Sequence, residues 1–404
     1  MRPERALDLA NARRRTDHLL DLVPQEALDE RPIPERHRLI FYLGHLEAFD
    51  WNQMIRGALG ESSFNPDFDQ LFAFGIDPEP GQLPSDIPSD WPKAEQVRVY
   101  NGEVRKRIDG LLNHVPSQLI HVAIEHRLMH AETLAYLLHN LDYRHKRRPS
   151  DYTVARSGTP PKTEWVLIPE GRAELGQPDP GVFGWDNEFS AHAVEVAPFR
   201  ITRHKITNGE YLQFVKQGAN PPHFWRQRNG GWHYAGMFDE MRLPLDWPVY
   251  VTHEEASAYA EWSGAHLPSE PQFHRAAYGS RNGTSNRRYP WGGESPQPRH
   301  GNFDFNSWDP APVTAHADGA SAFGVDQLAG NGWEWTSTVF GPFEGFQAFP
   351  FYPGYSADFF DGKHYVLKGG SPQTAAPLLR SSFRNWFRAD YPYVHAAFRL
   401  VKPA

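Results

Sequence analysis

Cysteine is absent from the 404 residues of this chain, and long apolar runs are absent as well. The lack of cysteine excludes disulfide frameworks and thiolate metal sites. No run approaches the roughly 18 apolar residues that a membrane-spanning helix needs. The opening segment, MRPERALDLANARRR, holds no apolar core of the kind found in signal peptides. We therefore expect a cytoplasmic protein that has no membrane partner.

Strong charge of either sign is also missing. The formal net charge of −8 is mild for this length, so the sequence offers no footprint for nucleic acid, and no basic run suggests a membrane surface. What is present is a 40% apolar and 14% aromatic composition, which suffices for sizeable cores. A chain of this length is expected to form two or three domains.

The first region, residues 1–145, has the pattern of helices. Four amphipathic segments predict a four-helix bundle; they span residues 6–23, 32–55, 90–115 and 116–141. A loop rich in Pro, Gly and Asp separates the second and third segments at residues 75–92. Loops of this length are usually functional or disordered, and only its length suggests that it lines an entrance.

The pattern changes after a polar, proline-containing linker at residues 146–163. Residues 164–404 contain most of the tryptophans and short β-type runs separated by Gly, Pro and Asn turns. One convincing helix occurs here, in THEEASAYAEWSGA, where Thr252 is a plausible N-cap ahead of acidic residues. The fold class predicted for the whole chain is α+β.

The segment HVAIEHRLMHAETLAYLLHNL poses the main chemical question. His126 and His130 lie four residues apart, so a helix places them on one face, inside its apolar stripe. His45 points inward on the second segment, because Phe41 and Phe49 lie one turn away on either side. Three imidazoles from two helices can hold a metal, as ligands in bundle cores do. Alternatively, they are buried histidines bonded to other side chains.

The nearby carboxylates do not share this face. Glu132 lies six residues from His126, about 240° around a standard helix, and Glu125 and Glu47 fail on the same grounds. Three neutral nitrogen ligands with open positions suit either zinc hydrolysis or non-haem iron chemistry. The spacing does not choose between these two.

Motifs of the second region resemble the formylglycine-generating-enzyme (sulfatase-modifying-factor) fold, which is C-type-lectin-like. They include EWVLIPEGRAELGQ, FGWDNE, HKITNGEYLQFV, GVDQLAGNGWEWT and VLKGGSPQTAAPLLRSSFRNWFRADYPYVHAAFRLV. Four glycines in these motifs are predicted to have positive φ: Gly330, Gly332, Gly369 and Gly370. Formylglycine-generating enzymes bind copper through a cysteine pair, so the lack of cysteine excludes that activity.

A DinB-like bundle carrying HxxxHxE, fused to this second domain, resembles the ergothioneine-pathway sulfoxide synthases. The resemblance implies an iron(II)- and O₂-dependent enzyme that joins a thiol to C2 of the imidazole of hercynine, Nα-trimethylhistidine. It maps the family's iron ligands onto His45, His126 and His130. Because pockets favour domain interfaces, we expect the site where the two domains meet.

The same resemblance suggests substrate residues in the second domain. Tyr352 would donate a proton and Tyr355 would contact substrate, the alternative being two packed loop tyrosines. Asn385 and Trp386, in the segment SFRNWFR, would hold hercynine. An amide suits its carboxylate, and aromatic faces suit its trimethylammonium group.

Two departures concern substrate choice. Phe387 stands where members that use γ-glutamylcysteine have an acidic residue, which favours free cysteine or another chalcogen donor. Met129 stands where the family often has Gln, so a polar contact to hercynine is lost. Arg384 and Arg388 could anchor the carboxylate of the thiol substrate, although structural salt bridges are an equal alternative.

Three other functions stay open at this point. A selenoneine synthase would have the same architecture but take a selenosugar as donor. A non-catalytic binding module would use the histidines structurally, and a zinc hydrolase would use them for another metal.

Overall fold

A computed structural model describes residues 3–76, 82–179, 181–282 and 287–404. The chain divides into two compact units, Met1–Asp151 and Tyr152–Ala404. Each unit has its own buried core. Within the described ranges, no helix combines the length and the apolar character that crossing a membrane requires.

The first unit is helical. Its α-helices are α1 (Pro3–Asp21), α2 (Leu39–Asp50), α3 (Pro66–Phe74), α4 (Ala94–Leu111) and α5 (Ser117–Asn140). Helix α5 packs along α1 and against α2, and α2 also packs against α3 and α4. With 24 residues, α5 is about 36 Å long at the standard rise per residue.

Four of these helices match the predicted segments, with two corrections. The second segment was predicted to be helical over residues 32–55, but α2 begins at Leu39 because the preceding residues form turns. A π-helix, Trp51–Gly57, continues α2. Helix α3 was not predicted; the side chain of Asn65 caps it and Pro66 occupies its first turn.

The loop predicted at residues 75–92 is described only in part, because residues 77–81 lie outside the described ranges. Its later portion is attached to the helices through Asp86. The Nε of Arg38 and the indole N–H of Trp91 donate to Asp86 Oδ2, at 2.8 and 2.7 Å. Arg31 pairs with the same carboxylate. These contacts fix the chain just before α4.

Residues 146–163, interpreted from the sequence as a linker, are divided between the two units. The ammonium group of Lys146 donates to the carbonyl of Leu138 at 2.7 Å, which ties it to the end of α5. Tyr152 instead donates its hydroxyl to Asp309 of the second unit. Lys146 therefore packs within the first unit, and Tyr152 packs within the second.

The second unit mixes short strands, short helices and much irregular structure. Its strands are β1 (Trp165–Ile168), β2 (Gly171–Leu175), β3 (His192–Val196), β4 (Phe199–Thr202), β5 (Trp225–Arg228), β6 (Gly231–Ala235), β7 (Glu240–Arg242), β8 (Trp333–Val339), β9 (His364–Lys368), β10 (Asn385–Arg388), β11 (Ala396–Ala397) and β12 (Val401–Pro403). Its helices are α6 (Asn208–Lys216), α7 (His253–Trp262), α8 (Glu270–Tyr278) and α9 (Gly354–Ala357). The predicted cap of α7 is confirmed, since the Thr252 side chain accepts from Glu255 N–H.

One sheet of this unit carries the predicted substrate motif. Its strand order is β10-β9-β8-β11, antiparallel except for the β11–β8 pair. Helix α8 packs against β8 and β9 and against the β2–β3 hairpin. The predicted positive φ values of Gly330, Gly332, Gly369 and Gly370 are confirmed. At Gly330 a Cβ would lie 2.5 Å from the carbonyl oxygen of Asn302, so the close backbone approach requires glycine.

Candidate metal centre and substrate residues

Three histidines meet in the core of the first unit. His45 on α2 and His126 and His130 on α5 each offer a ring nitrogen, and the three nitrogens lie within 4.8 Å of one another. In the described part of the chain, this is the one cluster of three or more such groups, and it contains no carboxylate. Helical periodicity produces it, because His126 and His130 are one turn apart and His45 faces them.

Aromatic rings hold two of these imidazoles in place. Phe49 stacks on His126, with centroids 3.5 Å apart and planes at 10°. Phe41 stacks on His45 at 4.7 Å and 26°. Both rings lie one turn from His45 on α2, so the residues that mark its inward face also orient the imidazoles.

A backbone carbonyl fixes the tautomer of His45. Its Nδ1 lies 2.7 Å from the carbonyl oxygen of Phe72, in α3. Because a carbonyl oxygen can only accept, Nδ1 carries the hydrogen and Nε2 keeps its lone pair. Such a bond on the far nitrogen is typical of metal-ligating histidines. The unpredicted helix α3 thus contributes to the site without supplying a ligand.

Unsatisfied nitrogens also indicate a ligand at this cluster. Both ring nitrogens of His126 and the Nδ1 of His130 are buried without a hydrogen-bond partner in the described residues. A buried polar atom left unpaired costs roughly 1–3 kcal/mol. A bound metal ion would satisfy one nitrogen of each imidazole, so the residues present fit such an ion.

The histidines are in the protonation state that a metal requires. Burial lowers the pKa of His45 to about 4. Burial, reinforced by the neighbouring imidazoles, also lowers the pKa values of His126 and His130 well below the usual range. All three are therefore neutral near pH 7, and no proton must be displaced when they bind a cation.

The nearby carboxylate Glu47 has other partners. Its Oε2 accepts from the Nη2 of Arg127 at 2.5 Å, and its Oε1 accepts from the Nε of Arg105 at 2.8 Å. Its role is thus in the packing of the helices. Met129, predicted to face substrate, is half-buried immediately before His130 on α5.

In the second unit the structure brings three predicted residues together. The rings of Tyr352 and Tyr355 lie 5.5 Å apart, and Trp386 contacts Tyr355 edge-on at 5.5 Å. Tyr355 is buried and stacks on Trp185 at 4.0 Å. Burial, with the carboxylate of Asp186 adding to it, raises the pKa of Tyr352, so its hydroxyl keeps its proton at neutral pH.

Asn385 and Phe387 lie on the face of strand β10 opposite to Trp386. Side chains alternate along β10, so Trp386 stacks on Phe340 at 4.2 Å while Phe387 stacks on Tyr391 at 5.3 Å. The amide oxygen of Asn385 accepts from the backbone N–H of Trp386 at 2.9 Å. The RNW segment therefore presents two surfaces.

The two arginines that flank this segment differ. Arg384 is buried and donates from Nε and Nη2 to the two oxygens of Glu270, at 3.0 and 3.2 Å. Arg384 thus forms a structural salt bridge, the alternative to its predicted role as a substrate anchor. The bridge occupies the two guanidinium N–H groups that a substrate carboxylate would need. Arg388 is exposed at the end of β10.

Comparisons with known proteins give this geometry its context. Residues 152–404 match the sulfatase-modifying factor enzyme 1-like domain. A hercynine oxygenase of Mycolicibacterium thermoresistibile is 32% identical over 100% of this chain and 95% of its own length. The chain belongs to the hercynine oxygenase family. It is therefore an enzyme of the oxygenase type, with an α+β fold whose second unit is sulfatase-modifying-factor-like.

Other relatives of this chain vary in length. The hercynine oxygenase of Mycolicibacterium smegmatis is 32% identical and matches over 98% of this chain and 97% of its own. Ergothioneine biosynthesis protein 1 of Neurospora crassa is 30% identical over 94% of this chain. This chain spans 55% of the length of that fungal relative.

Two contributors to the site were missed from the sequence. Phe72 acts through its backbone carbonyl group, and a pattern of side chains does not predict such a contact. Arg127 is a fully buried arginine next to His126, and its interior position in a helical stripe is the signal that could have identified it.

Proposed function

We propose that this chain is an iron(II)- and O₂-dependent sulfoxide synthase acting on hercynine, with His45, His126 and His130 as the metal ligands. The observation that carries the proposal is the preformed cluster of three neutral imidazoles, in a chain of the hercynine oxygenase family. We also propose that the helical unit is DinB-like.

Iron is favoured over zinc by the family name rather than by the ligand set. Three neutral histidines suit a zinc hydrolase and a non-haem iron oxygenase equally. Two of the relatives are named hercynine oxygenases, and zinc has no redox chemistry with which to take part in the reduction of O₂. Iron(II) held by three histidines would pass electrons from the substrates to O₂ and leave open positions for the substrate sulfur and O₂.

The proposed reaction is balanced without a further reductant. The C2–H bond of the hercynine imidazole and the S–H bond of the thiol are broken, and a C–S bond forms. One oxygen atom of O₂ ends on sulfur as the sulfoxide, and the other leaves as water with the two hydrogens. Four electrons pass from the two substrates to O₂.

The residues of the chain would place the reactants and move protons. Tyr352 is assigned the proton donor, and its raised pKa supports this, because its hydroxyl stays protonated at neutral pH. The half-buried Trp386 and the buried Tyr355 offer aromatic faces for the trimethylammonium group of hercynine. Asn385 is assigned to its carboxylate by resemblance.

Free cysteine is the proposed sulfur donor. Phe387 leaves no carboxylate at its position to pair with the α-ammonium of a γ-glutamyl group. Its ring is instead half-buried and stacked on Tyr391. The engagement of Arg384 with Glu270 removes one candidate anchor for the donor carboxylate, which leaves the exposed Arg388. A selenosugar is the alternative donor.

Activity assays with three donors test the proposal. The protein is loaded with iron(II) under anaerobic conditions and mixed with O₂, hercynine and one of cysteine, γ-glutamylcysteine or a selenosugar. O₂ uptake and the mass of the product are recorded. We expect hercynine-dependent O₂ uptake and a cysteinyl sulfoxide. If none of the three donors supports O₂ consumption in the presence of hercynine, the proposed function is contradicted. A faster reaction with the selenosugar would assign the chain to selenoneine formation.

A further inference from the structure

We infer that Arg127 is a positioning residue for the metal centre, fixing the ligand helix α5 against the ligand helix α2. This inference rests on the proposed function, because it takes the three histidines as metal ligands. Arg127 has no accessible surface and directly follows His126 in the sequence.

The guanidinium of Arg127 is bonded to three groups of α2. Its Nε donates to Asp50 Oδ2 at 2.7 Å. Its Nη2 donates to the carbonyl oxygen of Leu46 at 3.0 Å and to Glu47 Oε2 at 2.5 Å. Leu46 directly follows His45 on α2, and Arg127 directly follows His126 on α5. The hydrogen bonds of Arg127 therefore join the two helices next to a proposed metal ligand on each.

Two further helices are tied to this network through Arg105. The Nε and Nη2 of Arg105, on α4, donate to the second oxygen of Glu47 at 2.8 and 2.6 Å. The same side chain binds both oxygens of Asp17, on α1, at 2.7 Å each. One connected set of charges therefore joins α1, α4 and the two ligand helices α2 and α5.

This arrangement specifies a single register between the two ligand helices. A slip of α5 by one turn would displace its side chains by about 5.4 Å. That exceeds the 4.8 Å within which the three ring nitrogens gather. Apolar contacts between helices tolerate such slips more readily than a planar fork with three defined acceptors.

Stability alone does not account for the network. Buried ion pairs are weak stabilisers, because desolvation offsets most of their attraction and apolar side chains of similar volume serve as well. A role in specifying alignment is the best attested use of such buried polar groups. Here the alignment that they specify is the one that assembles the metal ligands.

Metal binding without turnover tests the inference. Cobalt(II) is titrated into the metal-free full-length protein, and the dissociation constant, the visible spectrum of the bound ion and the thermal midpoint of the apoprotein are recorded. Arg127→Lys keeps the charge but replaces the planar fork by a single ammonium nitrogen, which loses the geometry that fits the three acceptors. We expect cobalt to bind at least about tenfold more weakly, the range typical for residues that orient ligands, with an altered spectrum.

Two other variants make the outcome decisive. Ile108→Val shortens a buried side chain of α4 that supplies no hydrogen bond to the network, so it should lower the apoprotein midpoint by about 2–4 °C and leave cobalt affinity unchanged. Asp50→Asn retains an acceptor while weakening its bond to Arg127, and it decides the question if Arg127→Lys does not fold. Wild-type affinity and spectrum in both network variants would overturn the inference. Cobalt binding in the wild type that equals that of His126→Ala would instead overturn the proposed function.

Discussion

Gly44 permits the contact on which the orientation of His45 depends. It precedes His45 on α2 and faces α3, where a Cβ added at Gly44 would lie 2.5 Å from the Cγ and Cδ1 atoms of Phe72. Carbon atoms in favourable contact are about 3.5–4.0 Å apart, so the Phe72 ring would have to move by about 1 Å. Phe72 is fully buried, and its carbonyl oxygen holds His45 Nδ1 at 2.7 Å.

Gly44→Ala should therefore destabilise the protein and weaken metal binding together. Overpacking of this kind costs about 1–3 kcal/mol, against a gain of up to about 1 kcal/mol for replacing a helical glycine. We expect a net loss of about 1–2 kcal/mol in the free energy of unfolding. Displacement of the Phe72 carbonyl should also weaken metal affinity by about tenfold, as loss of a partner bond to a ligating histidine typically does.

Gly102→Ala provides the matched control. Gly102 lies on α4, and an added Cβ there would meet nothing within 4 Å. Only the higher helix propensity of alanine then acts, so the free energy of unfolding should rise by up to about 1 kcal/mol. Urea denaturation and anaerobic metal titration measure both quantities. Unchanged metal affinity in a destabilised Gly44→Ala protein would refute the role given to the Phe72 carbonyl. Unchanged stability would refute the tight α2–α3 contact.

Three further predictions concern the second unit. Tyr352→Phe should lower the rate of sulfoxide formation about 10²-fold or more, whereas Tyr355→Phe should mainly raise KM for hercynine; a Tyr352→Phe enzyme with wild-type kcat would remove Tyr352 from the chemistry. Phe387→Asp should raise kcat/KM for γ-glutamylcysteine relative to cysteine about tenfold, since one charge pair of about 1.4 kcal/mol suffices for that factor, and an unchanged ratio in competition assays would refute the assignment. Burial lowers the pKa of His395 to about 3, below the value of about 6.5 in unfolded chains, so the unfolded state takes up a proton that the folded state does not. Stability is therefore lost as pH falls below about 6.5, by up to about 1.4 kcal/mol per pH unit. In urea titrations, His395→Asn should reduce the loss between pH 6.5 and 5 by about 2 kcal/mol, and an equal loss in both proteins would contradict it.

Periodicity was sufficient where one helix face decides the outcome. Phe41 and Phe49 marked the inward face of α2, and the structure stacks them on His45 and His126. The Thr252 cap was readable for a similar reason, because its hydroxyl and Glu255 lie three residues apart and bond locally.

Contacts between distant residues were not predictable in this way. Glu270 lies 114 residues from Arg384 in the chain, so nothing local distinguishes a buried structural pair from a free substrate anchor. Helix α3 is only nine residues long, and its contribution to His45 is a backbone carbonyl. The opposite faces of Asn385 and Trp386 follow from strand alternation along β10, but no strand was predicted at these residues, so the alternation was not foreseen.

Metal stoichiometry tests the central claim most directly. The full-length protein and its His126→Ala variant are loaded with iron(II) without oxygen and desalted, and bound iron and hercynine-dependent O₂ uptake are measured together. We predict one iron per wild-type chain, with O₂ uptake, and the loss of both in the variant. Iron bound equally by the two proteins, or zinc retained by the wild type together with hydrolytic activity and no O₂ uptake, would contradict the assignment of the three histidines to an iron site.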